Sequence, residues 1–359
     1  MESVYIHIPF CRSICSYCDF SRFIYNEKEA DKYLNALEEE VKEYYLNEEI
    51  KTIYIGGGTP SVLSETLLNK LFKIINLFNK SKKLEFTIEC NPEDINESFL
   101  DLIIKHGVNR ISIGVQSFNK TKLEFMKRNS DFLDLKTKIN LIRQKGINNI
   151  SLDLMYALPK EELNVFKKDV KMFLKLNPDH ISTYSLIIKE GTEIFNKFDN
   201  TEEEIEIEMY NYLVKKLKKK KYNHYEVSNF SKEGYESKHN LTYWNNKEYY
   251  GFGLSSSGYI NGFRYENTKN MKKYLEGNYR DNEKLLSKQE IMEDEVMLGL
   301  RKIKGINVEE FYEKYNVNIQ DVFPVKPLLK SKELVYKNGY LFINKDKIYV
   351  MNEILLKLI

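Results

Sequence analysis

The sequence predicts an α/β protein whose first two-thirds forms a barrel-like parallel sheet, closed or partial. Up to residue 221, short segments rich in Ile, Val, Tyr and Thr alternate with helix-length segments. Strands that alternate with helices of this length pair in parallel. Near residue 222 the alternation gives way to short runs rich in Tyr, Gly, Asn and Ser. This change of pattern marks the end of the predicted barrel domain, residues 1–222.

The barrel is predicted from six strand segments and six helix segments. The strands are expected at Ser3–Pro9, Lys51–Ile55, Leu84–Cys90, Arg110–Val115, Ile150–Met155 and His180–Ile187. The helices are expected at Glu27–Asn47, Ser61–Asn79, Asn96–Lys105, Leu133–Lys145, Glu161–Leu176 and Thr201–Lys221. Gly107, Gly146 and Pro178 lie where three of these helices are expected to end.

The rest of the chain is predicted to divide into two parts. Residues 223–286 are expected to form loops and short strands that close over the sheet. Residues 287–359 are expected to form a winged-helix-like α+β domain, in which Asn338-Gly339 is a strong hairpin signal. Its helices are expected at Lys288–Ile303, Val308–Tyr315 and Ile319–Lys330, and its strands at Leu334–Tyr336, Tyr340–Ile343 and Lys347–Met351.

Composition and charge exclude several classes of protein. The 359 residues include 55 Lys and Arg against 53 Asp and Glu, a formal charge of +2. This balance gives no electrostatic basis for a dedicated nucleic-acid binder. No apolar stretch approaches the ~18 residues of a transmembrane helix. Residues 1–10 have neither the basic region nor the apolar core of a signal peptide. A cytoplasmic globular protein is therefore expected.

Three of the four cysteines, Cys11, Cys15 and Cys18, follow the first predicted strand on one short loop. In a reducing compartment, clustered thiols indicate metal or redox chemistry. A structural zinc site takes four ligands with paired spacings, and no second Cys pair lies nearby. Three thiolates suit three corners of a [4Fe–4S] cluster, and the fourth iron is then open to an exogenous ligand.

The Cys-x3-Cys-x2-Cys spacing, with Tyr17 before the last Cys, resembles the radical S-adenosylmethionine (SAM) superfamily. The resemblance implies a partial (β/α)6 TIM-like barrel in which Cys11, Cys15 and Cys18 hold a [4Fe–4S] cluster. It also implies that SAM chelates the open iron and is cleaved by an electron from the cluster to a 5′-deoxyadenosyl radical. The longer string from Tyr5 to Cys11 is similar to the branch that contains oxygen-independent coproporphyrinogen III oxidase and the haem chaperones.

Glycine and polar residues at the ends of the later strands match further positions of the family. From the residues alone, the Gly56–Ser61 run could be a tight turn, and Glu89 a buried structural carboxylate. Active sites of barrels lie at the C-terminal ends of the strands, where these residues fall. The resemblance implies that SAM is bound by Tyr5, Tyr17, Gly57, Gly58, Thr59, Glu89, Gln116, Arg128 and Asp153.

The second informative motif is the run from His239 to Trp244, His-Asn-Leu-Thr-Tyr-Trp, which contains the only Trp. A His can ligate haem iron, and aromatic side chains can stack on a porphyrin. Composition alone favours a loop packed by Tyr and Trp. The motif resembles the haem-binding signature of the haem chaperones, which implies haem binding by His239, Asn240, Tyr243 and Trp244, with His239 as the ligand of the haem iron.

Three local features favour the chaperone branch over the oxidase branch. Cys18 is followed by Asp19-Phe20, whereas the oxidase branch carries a further Cys two residues after the third ligand. Only four residues precede Tyr5, where the oxidase has an N-terminal extension, and the His239 motif is present. The predicted function is to bind haem and transfer it to an acceptor protein, with the cluster and SAM gating the transfer.

The alternative functions stay open at this point. One is the oxidase reaction, in which the radical abstracts a hydrogen and propionates of coproporphyrinogen III are decarboxylated. Another is a radical SAM enzyme with an unrelated substrate. The chaperone interpretation predicts no coproporphyrinogen oxidase activity. Cys90 is interpreted as structural, with redox chemistry beside the cluster as its alternative.

The resemblance also implies the partners. These are haem, a haem-acceptor protein, for which a membrane-bound respiratory protein is one candidate, and an electron donor such as flavodoxin or ferredoxin. No nucleic-acid partner is expected. The sequence leaves open the oligomeric state, with a homodimer as one alternative, the covalent or non-covalent attachment of haem, and whether SAM cleavage is catalytic or regulatory.

Overall fold

The computed structural model describes residues 1–359. The strands are β1 (Ser3–Ile8), β2 (Phe10–Cys11), β3 (Phe23–Ile24), β4 (Glu49–Gly57), β5 (Asn79–Cys90), β6 (Arg110–Gln116), β7 (Asn149–Tyr156), β8 (His180–Ser185), β9 (Asn223–His224), β10 (Asn229–Ser231), β11 (Tyr250–Phe252), β12 (Ser257–Ile260), β13 (Phe263–Asn267), β14 (Arg280–Leu285), β15 (Ile306–Asn307), β16 (Leu334–Lys337) and β17 (Tyr340–Ile343). The helices are α1 (Glu27–Tyr44), α2 (Glu65–Ile75), α3 (Glu97–Lys105), α4 (Lys120–Met126), α5 (Phe132–Gln144), α6 (Leu163–Lys175), α7 (Glu203–Lys219), α8 (Lys238–Trp244), α9 (Met271–Leu275), α10 (Lys288–Gly299), α11 (Val308–Tyr315), α12 (Ile319–Val322), α13 (Val325–Lys330) and α14 (Met351–Leu356).

Nine strands form the main sheet, in the order β11-β1-β4-β5-β6-β7-β8-β10-β9. From β1 through β8 all neighbours are parallel, which confirms the predicted strand–helix alternation. The edge strands β11 and β9 do not pair with each other, so the barrel is partial rather than closed. Three strands of this sheet, β9, β10 and β11, lie beyond residue 222 in the sequence. The segment expected to close over the sheet therefore extends it at both edges.

Aliphatic residues on one face of the sheet pack against the surrounding helices. Ile53 and Ile55 of β4 and Ile111 and Ile113 of β6 are fully buried, as alternation along a strand requires. They belong to one core cluster of 77 residues that extends into the C-terminal helices. Burial of this aliphatic face fixes which side chains point into the barrel.

Two of the helix predictions differ from the structure by more than their end residues. The second predicted helix is shortened to α2, because Pro60 begins a separate 3-10 turn and Asn79 begins β5. The predicted helix Ile319–Lys330 is divided into α12 and α13 at Phe323-Pro324, since a residue before proline avoids the helical conformation.

Other differences concern the type of element. The strand predicted at Lys347–Met351 is wrong, because a 3-10 turn at Lys345–Lys347 leads into α14. The hairpin at Asn338-Gly339 is confirmed, and its two residues have φ of 52° and 80°, as a tight hairpin turn requires. The pattern predicts neither α4 nor α8. No helix is both long enough and apolar enough to cross a bilayer.

A buried ion network anchors α4 to the barrel. Lys122 Nζ lies 2.6 Å from Glu161 Oε1, 3.0 Å from Asp169 Oδ2 and 3.0 Å from the Met155 carbonyl oxygen. All three charged side chains are buried. The network joins α4 to α6 and to the end of β7, so it holds the segment that leads into Arg128.

Replacing Lys122 with Met should lower the free energy of unfolding by about 3–5 kcal/mol, because two carboxylates would stay buried without their cation. Urea denaturation followed by circular dichroism measures the change. The matched control is Lys120→Met in the same helix, whose side chain is 91% exposed. That variant should differ from the wild type by less than about 0.5 kcal/mol. Equal denaturation midpoints for the two variants would contradict a stabilising role of the network.

Candidate functional site

The inner face of the barrel is lined by polar side chains. Tyr54 OH donates to Glu89 Oε1 at 2.7 Å, and Ser112 Oγ donates to Asp153 Oδ1 at 3.3 Å. Deeper in the barrel, Ser151 Oγ and His180 Nδ1 are 2.8 Å apart. Many barrels of this kind fill the same space with branched aliphatic residues. Here, polar groups extend from one end of the barrel to the other, and among them Thr87 Oγ1 and Arg110 Nε and Nη1 have no hydrogen-bond partner.

A cavity of about 410 Å³ opens at the C-terminal ends of the strands. Its size is typical of small-molecule sites. Eleven predicted site residues line it: Cys11, Cys15, Tyr17, Cys18, Gly57, Gly58, Thr59, Glu89, Gln116, Arg128 and Asp153. The structure therefore brings together, in one place, side chains predicted separately for the cluster and for SAM. Tyr5 and the residues of the His239 motif do not line this cavity.

The three cluster cysteines lie at the cavity wall. Thr59 Oγ1 lies 3.7 Å from Cys11 Sγ, and Arg128 Nη1 lies 3.7 Å from Cys15 Sγ. Burial raises the pKa of Cys11 to about 11 and also raises the pKa of Cys18. The free thiols of Cys11 and Cys18 are therefore protonated at neutral pH, and iron binding must displace their protons.

The donor set fits an iron–sulfur cluster better than a single ion. No three His, Cys, Asp or Glu side chains are grouped closely enough to hold one metal ion. Thiolates of a [4Fe–4S] cluster bind irons at separate corners, so they need not converge on one point. Hydrogen-bond donors next to two of the sulfurs are the kind of contact that tunes such clusters.

Two glycines let the backbone pack against the loop that carries Cys11, Cys15 and Cys18, which we call the cluster loop. Gly57 has φ of +114°, and a Cβ there would lie 2.6 Å from the His7 ring. A Cβ at Gly58 would lie 2.7 Å from the Phe10 carbonyl oxygen and 3.0 Å from Cys11 Sγ. Neither position accepts a side chain, so close approach of the backbone explains both glycines.

Two carboxyl groups lie in the cavity wall with raised pKa values. Burial raises the pKa of Glu89 to about 7, although Tyr54 and the Gly57 backbone N–H, 3.1 Å away, both donate to it. Burial also raises the pKa of Asp153 to about 6. Arg110 is buried in the barrel, and its positive charge favours the ionised form of both groups.

Gln116 is strained and has a free acceptor. Its φ of 67° is unusual for a residue with a side chain and costs about 1–3 kcal/mol. Its buried Oε1 has no hydrogen-bond partner. Arg128 donates to the Gly114 carbonyl oxygen nearby. A hydroxyl group of a bound ligand, such as a ribose, would satisfy this acceptor, so the residues present fit SAM.

The His239 motif lies on α8, at the opposite end of the barrel. His239 is fully buried, its Nδ1 lies 2.9 Å from Thr52 Oγ1, and its Nε2 lies 2.7 Å from Tyr243 OH. Its ring stacks on Tyr54 with a centroid distance of 5.2 Å. Glu85 accepts hydrogen bonds from the first two backbone N–H groups of α8. Helix α8 therefore forms the floor of the barrel.

Both ring nitrogens of His239 are engaged, so a haem iron could reach it only if α8 left the floor. That movement would break the hydrogen bond between His239 and Thr52, and each buried polar group left unpaired costs about 1–3 kcal/mol. Burial lowers the pKa of His239 to about 3, so the ring is neutral. Asn240 and Trp244 are half-buried on the same helix. Haem ligation by His239 and contact with haem by the other three residues stay predictions.

Tyr5 also lies away from the cavity, inside the barrel. Its hydroxyl is 3.0 Å from His7 Nδ1, and its ring lies 6.2 Å from that of Tyr54. Contact between Tyr5 and SAM stays a prediction. Cys90 lines the cavity, but its thiol is buried and lies 3.8 Å from the Ser112 carbonyl oxygen.

The cavity also includes residues that the sequence analysis does not predict as site residues. Phe20 and Arg22 reach it from the cluster loop, and Tyr184, Ile187 and Lys189 reach it from the end of β8. The position of the last three at or just beyond the end of a barrel strand could have indicated them. The sequence analysis uses Phe20 only to separate the chaperone branch from the oxidase branch, and nothing in the pattern distinguishes Arg22 from an ordinary loop residue.

Comparison with known proteins gives two family matches and several close relatives. The radical SAM superfamily matches residues 5–173, and the HemN C-terminal domain matches residues 286–350. The proteins named heme chaperone HemW from Lactococcus lactis and Bacillus subtilis are both 40% identical to this chain. The alignments cover 90% of this chain and 87% of the first, and 94% of this chain and 93% of the second.

A more distant relative and a solved structure agree with these matches. Heme chaperone HemW of Escherichia coli is 34% identical over 79% of this chain and 78% of its own length. The structure of coproporphyrinogen III oxidase (HemN) from Escherichia coli superposes with a TM-score of 0.85 over 99% of this chain and 89% of that chain, at 22% identity. That likeness shows the fold. The chain therefore belongs to the radical SAM superfamily, in the family of the proteins named heme chaperone HemW.

Proposed function

We propose that this protein is a haem chaperone, which binds haem and passes it to an acceptor protein. The observation that carries the proposal is the 40% identity to two proteins named heme chaperone HemW over nine-tenths or more of this chain. The radical SAM family implies a [4Fe–4S] cluster and SAM, and the lining of the cavity supports both. The fold alone does not favour the oxidase reaction.

The proposal assigns roles to the residues of the cavity. Cys11, Cys15 and Cys18 hold the cluster, which supplies an electron for SAM cleavage when it is reduced. Backbone groups of Gly57 and Gly58 approach the ligand closely. The polar side chains then orient SAM through hydrogen bonds and charge: Tyr17, Thr59, Glu89, Gln116, Arg128 and Asp153.

Further parts of the proposal concern partners. An electron donor such as flavodoxin or ferredoxin reduces the cluster, and a membrane-bound respiratory protein is a candidate acceptor. SAM occupancy and cluster reduction gate the release of haem. A homodimer is one oligomeric state compatible with this scheme. The protein is proposed to act in the cytoplasm.

Titration with haem tests the proposed function directly. The anaerobically reconstituted protein should give a saturable change in the Soret band. Haem should then move to apomyoglobin at a rate that depends on cluster reduction and SAM. Incubation with dithionite, SAM and coproporphyrinogen III should yield no protoporphyrinogen. Absence of haem binding, or formation of that product, would contradict the chaperone function.

Replacing any cluster cysteine should abolish cluster assembly, because a missing thiolate leaves one iron without its protein ligand. Anaerobic reconstitution of the wild type should give a brown protein with about four irons per chain. Cys11→Ala, Cys15→Ala and Cys18→Ala should each stay colourless, as judged by iron analysis and visible absorbance. Cys90→Ala is the matched control and should keep its iron. Loss of the cluster from that variant would contradict the three-ligand assignment.

Binding of SAM should strengthen as pH rises from 6 to 8. The Glu89 carboxyl has a pKa of about 7, so it loses its proton over this range. Only the ionised form attracts the positively charged sulfonium group of SAM, which gives about a tenfold change in dissociation constant. Equilibrium binding at a series of pH values measures the effect.

The variant Glu89→Gln keeps the size of the side chain but cannot ionise. Its SAM affinity should be weaker at pH 8 and nearly constant between pH 7 and pH 8, while Asp153 still titrates near its pKa of about 6. An unchanged pH profile in this variant would show that another group is responsible.

A further inference from the structure

The entrance to the cluster cavity combines apolar side chains with cations. Phe20, Tyr184 and Ile187 line the cavity, yet 61%, 46% and 61% of their surfaces are exposed. Phe20 and Ile187 are among the most exposed large apolar residues of the chain. Exposed apolar groups gathered around a cavity indicate a binding surface, whereas isolated ones do not. We call these three residues the rim.

Positive charges lie beside the rim. Arg22 donates to the Phe20 carbonyl oxygen at 2.7 Å, and its buried Nε has no partner. Lys269 lies in an adjoining recess that also contains Phe20 and Arg22. Lys189 is paired with Asp19 at 2.6 Å. The net charge beside the rim is +1. The three cations are Arg22, Lys189 and Lys269, and the two acids are Asp19 and Glu190.

The chemistry of the rim matches haem, a flat apolar ring with two carboxylates on one edge. We propose that haem docks on the rim, with its ring against Phe20, Tyr184 and Ile187 and its propionates beside Arg22 and Lys269. This inference rests on the proposed haem chaperone function and names the site for it. The rim is open to solvent, whereas both ring nitrogens of His239 are engaged inside the barrel.

Haem on the rim covers the route by which SAM enters and leaves. The rim residues line the same cavity as Glu89, Gln116 and Asp153, which are half-buried whereas the rim is exposed. The two ligands therefore occupy successive depths of one cavity. Docked haem is expected to slow the release of SAM, and this provides a second measurement that is independent of haem affinity.

Haem titration of full-length protein with its cluster reconstituted tests the docking surface. Phe20→Asp and Ile187→Asp should each weaken haem affinity by about tenfold or more, because each removes apolar contact and places a negative charge near the propionates. The matched control is Leu133→Asp on α5, at a residue that is 70% exposed and lies outside the cavity. It should bind haem like the wild type. Iron content and circular dichroism verify that each variant is folded.

Three further measurements separate the alternatives. Lys269→Glu should weaken haem binding in a salt-dependent way, and Lys120→Glu serves as its control. Haem should slow the release of radiolabelled SAM from the wild type, and this slowing should be lost in Phe20→Asp. His239→Gln, which can still hydrogen bond to Thr52, should lose less haem affinity than the rim variants.

Three results would overturn the inference. If the rim variants bind haem like the wild type, the rim is not the docking surface, although the proposed function stands. If His239→Gln loses more affinity than the rim variants, the haem site lies at the motif on α8. If the wild type itself binds no haem, the proposed function fails, and the rim has no such occupant.

Discussion

Polar side chains enclosed in a barrel need hydrogen-bond partners, and this constraint determines how the two ends of the molecule are built. At the N-terminal end, α8 supplies those partners: Ser3 Oγ lies 2.8 Å from Thr242 Oγ1, and Thr52 bonds His239. Glu85 caps the same helix in return. At the C-terminal end, the acceptor of Gln116 has no protein partner. Thr87 Oγ1 and two nitrogens of Arg110 inside the barrel also lack partners. Helix α8 therefore closes the floor with protein, whereas the mouth is open to a ligand.

Much of the barrel is predictable because its strands carry alternating aliphatic residues and its helices end at turn residues. The SAM pocket is predictable for a related reason, since the carboxyl ends of parallel strands meet at one edge. Helix α8 is not predictable from pattern. Its sequence has no apolar periodicity, and it depends on the Ser237 cap and on Glu85, which is distant in sequence. The rim is not predictable either, because exposure of Phe20 and Ile187 depends on tertiary placement.

The floor and the pocket are in direct contact through one aromatic ring. His239 stacks on Tyr54, and the Tyr54 hydroxyl donates to Glu89. Glu89 in turn accepts from the Gly57 backbone, next to the cluster loop. The motif that resembles a haem-binding signature therefore supports the carboxylate proposed to bind SAM. Its residue types are explained by this packing whether or not haem reaches them.

The charges of the cavity are arranged by depth. Arg110 lies below Glu89 and Asp153 and offsets part of the cost of burying them, yet burial still raises the pKa values of these acids to about 7 and 6. A cationic, hydroxyl-bearing ligand between them supplies the missing positive charge and the donor for Gln116. At the mouth the wall includes the apolar rim residues, with three cations and two acids beside them. A small polar ligand is therefore favoured in the depth of the cavity, and a large flat ligand with peripheral carboxylates is favoured at its mouth.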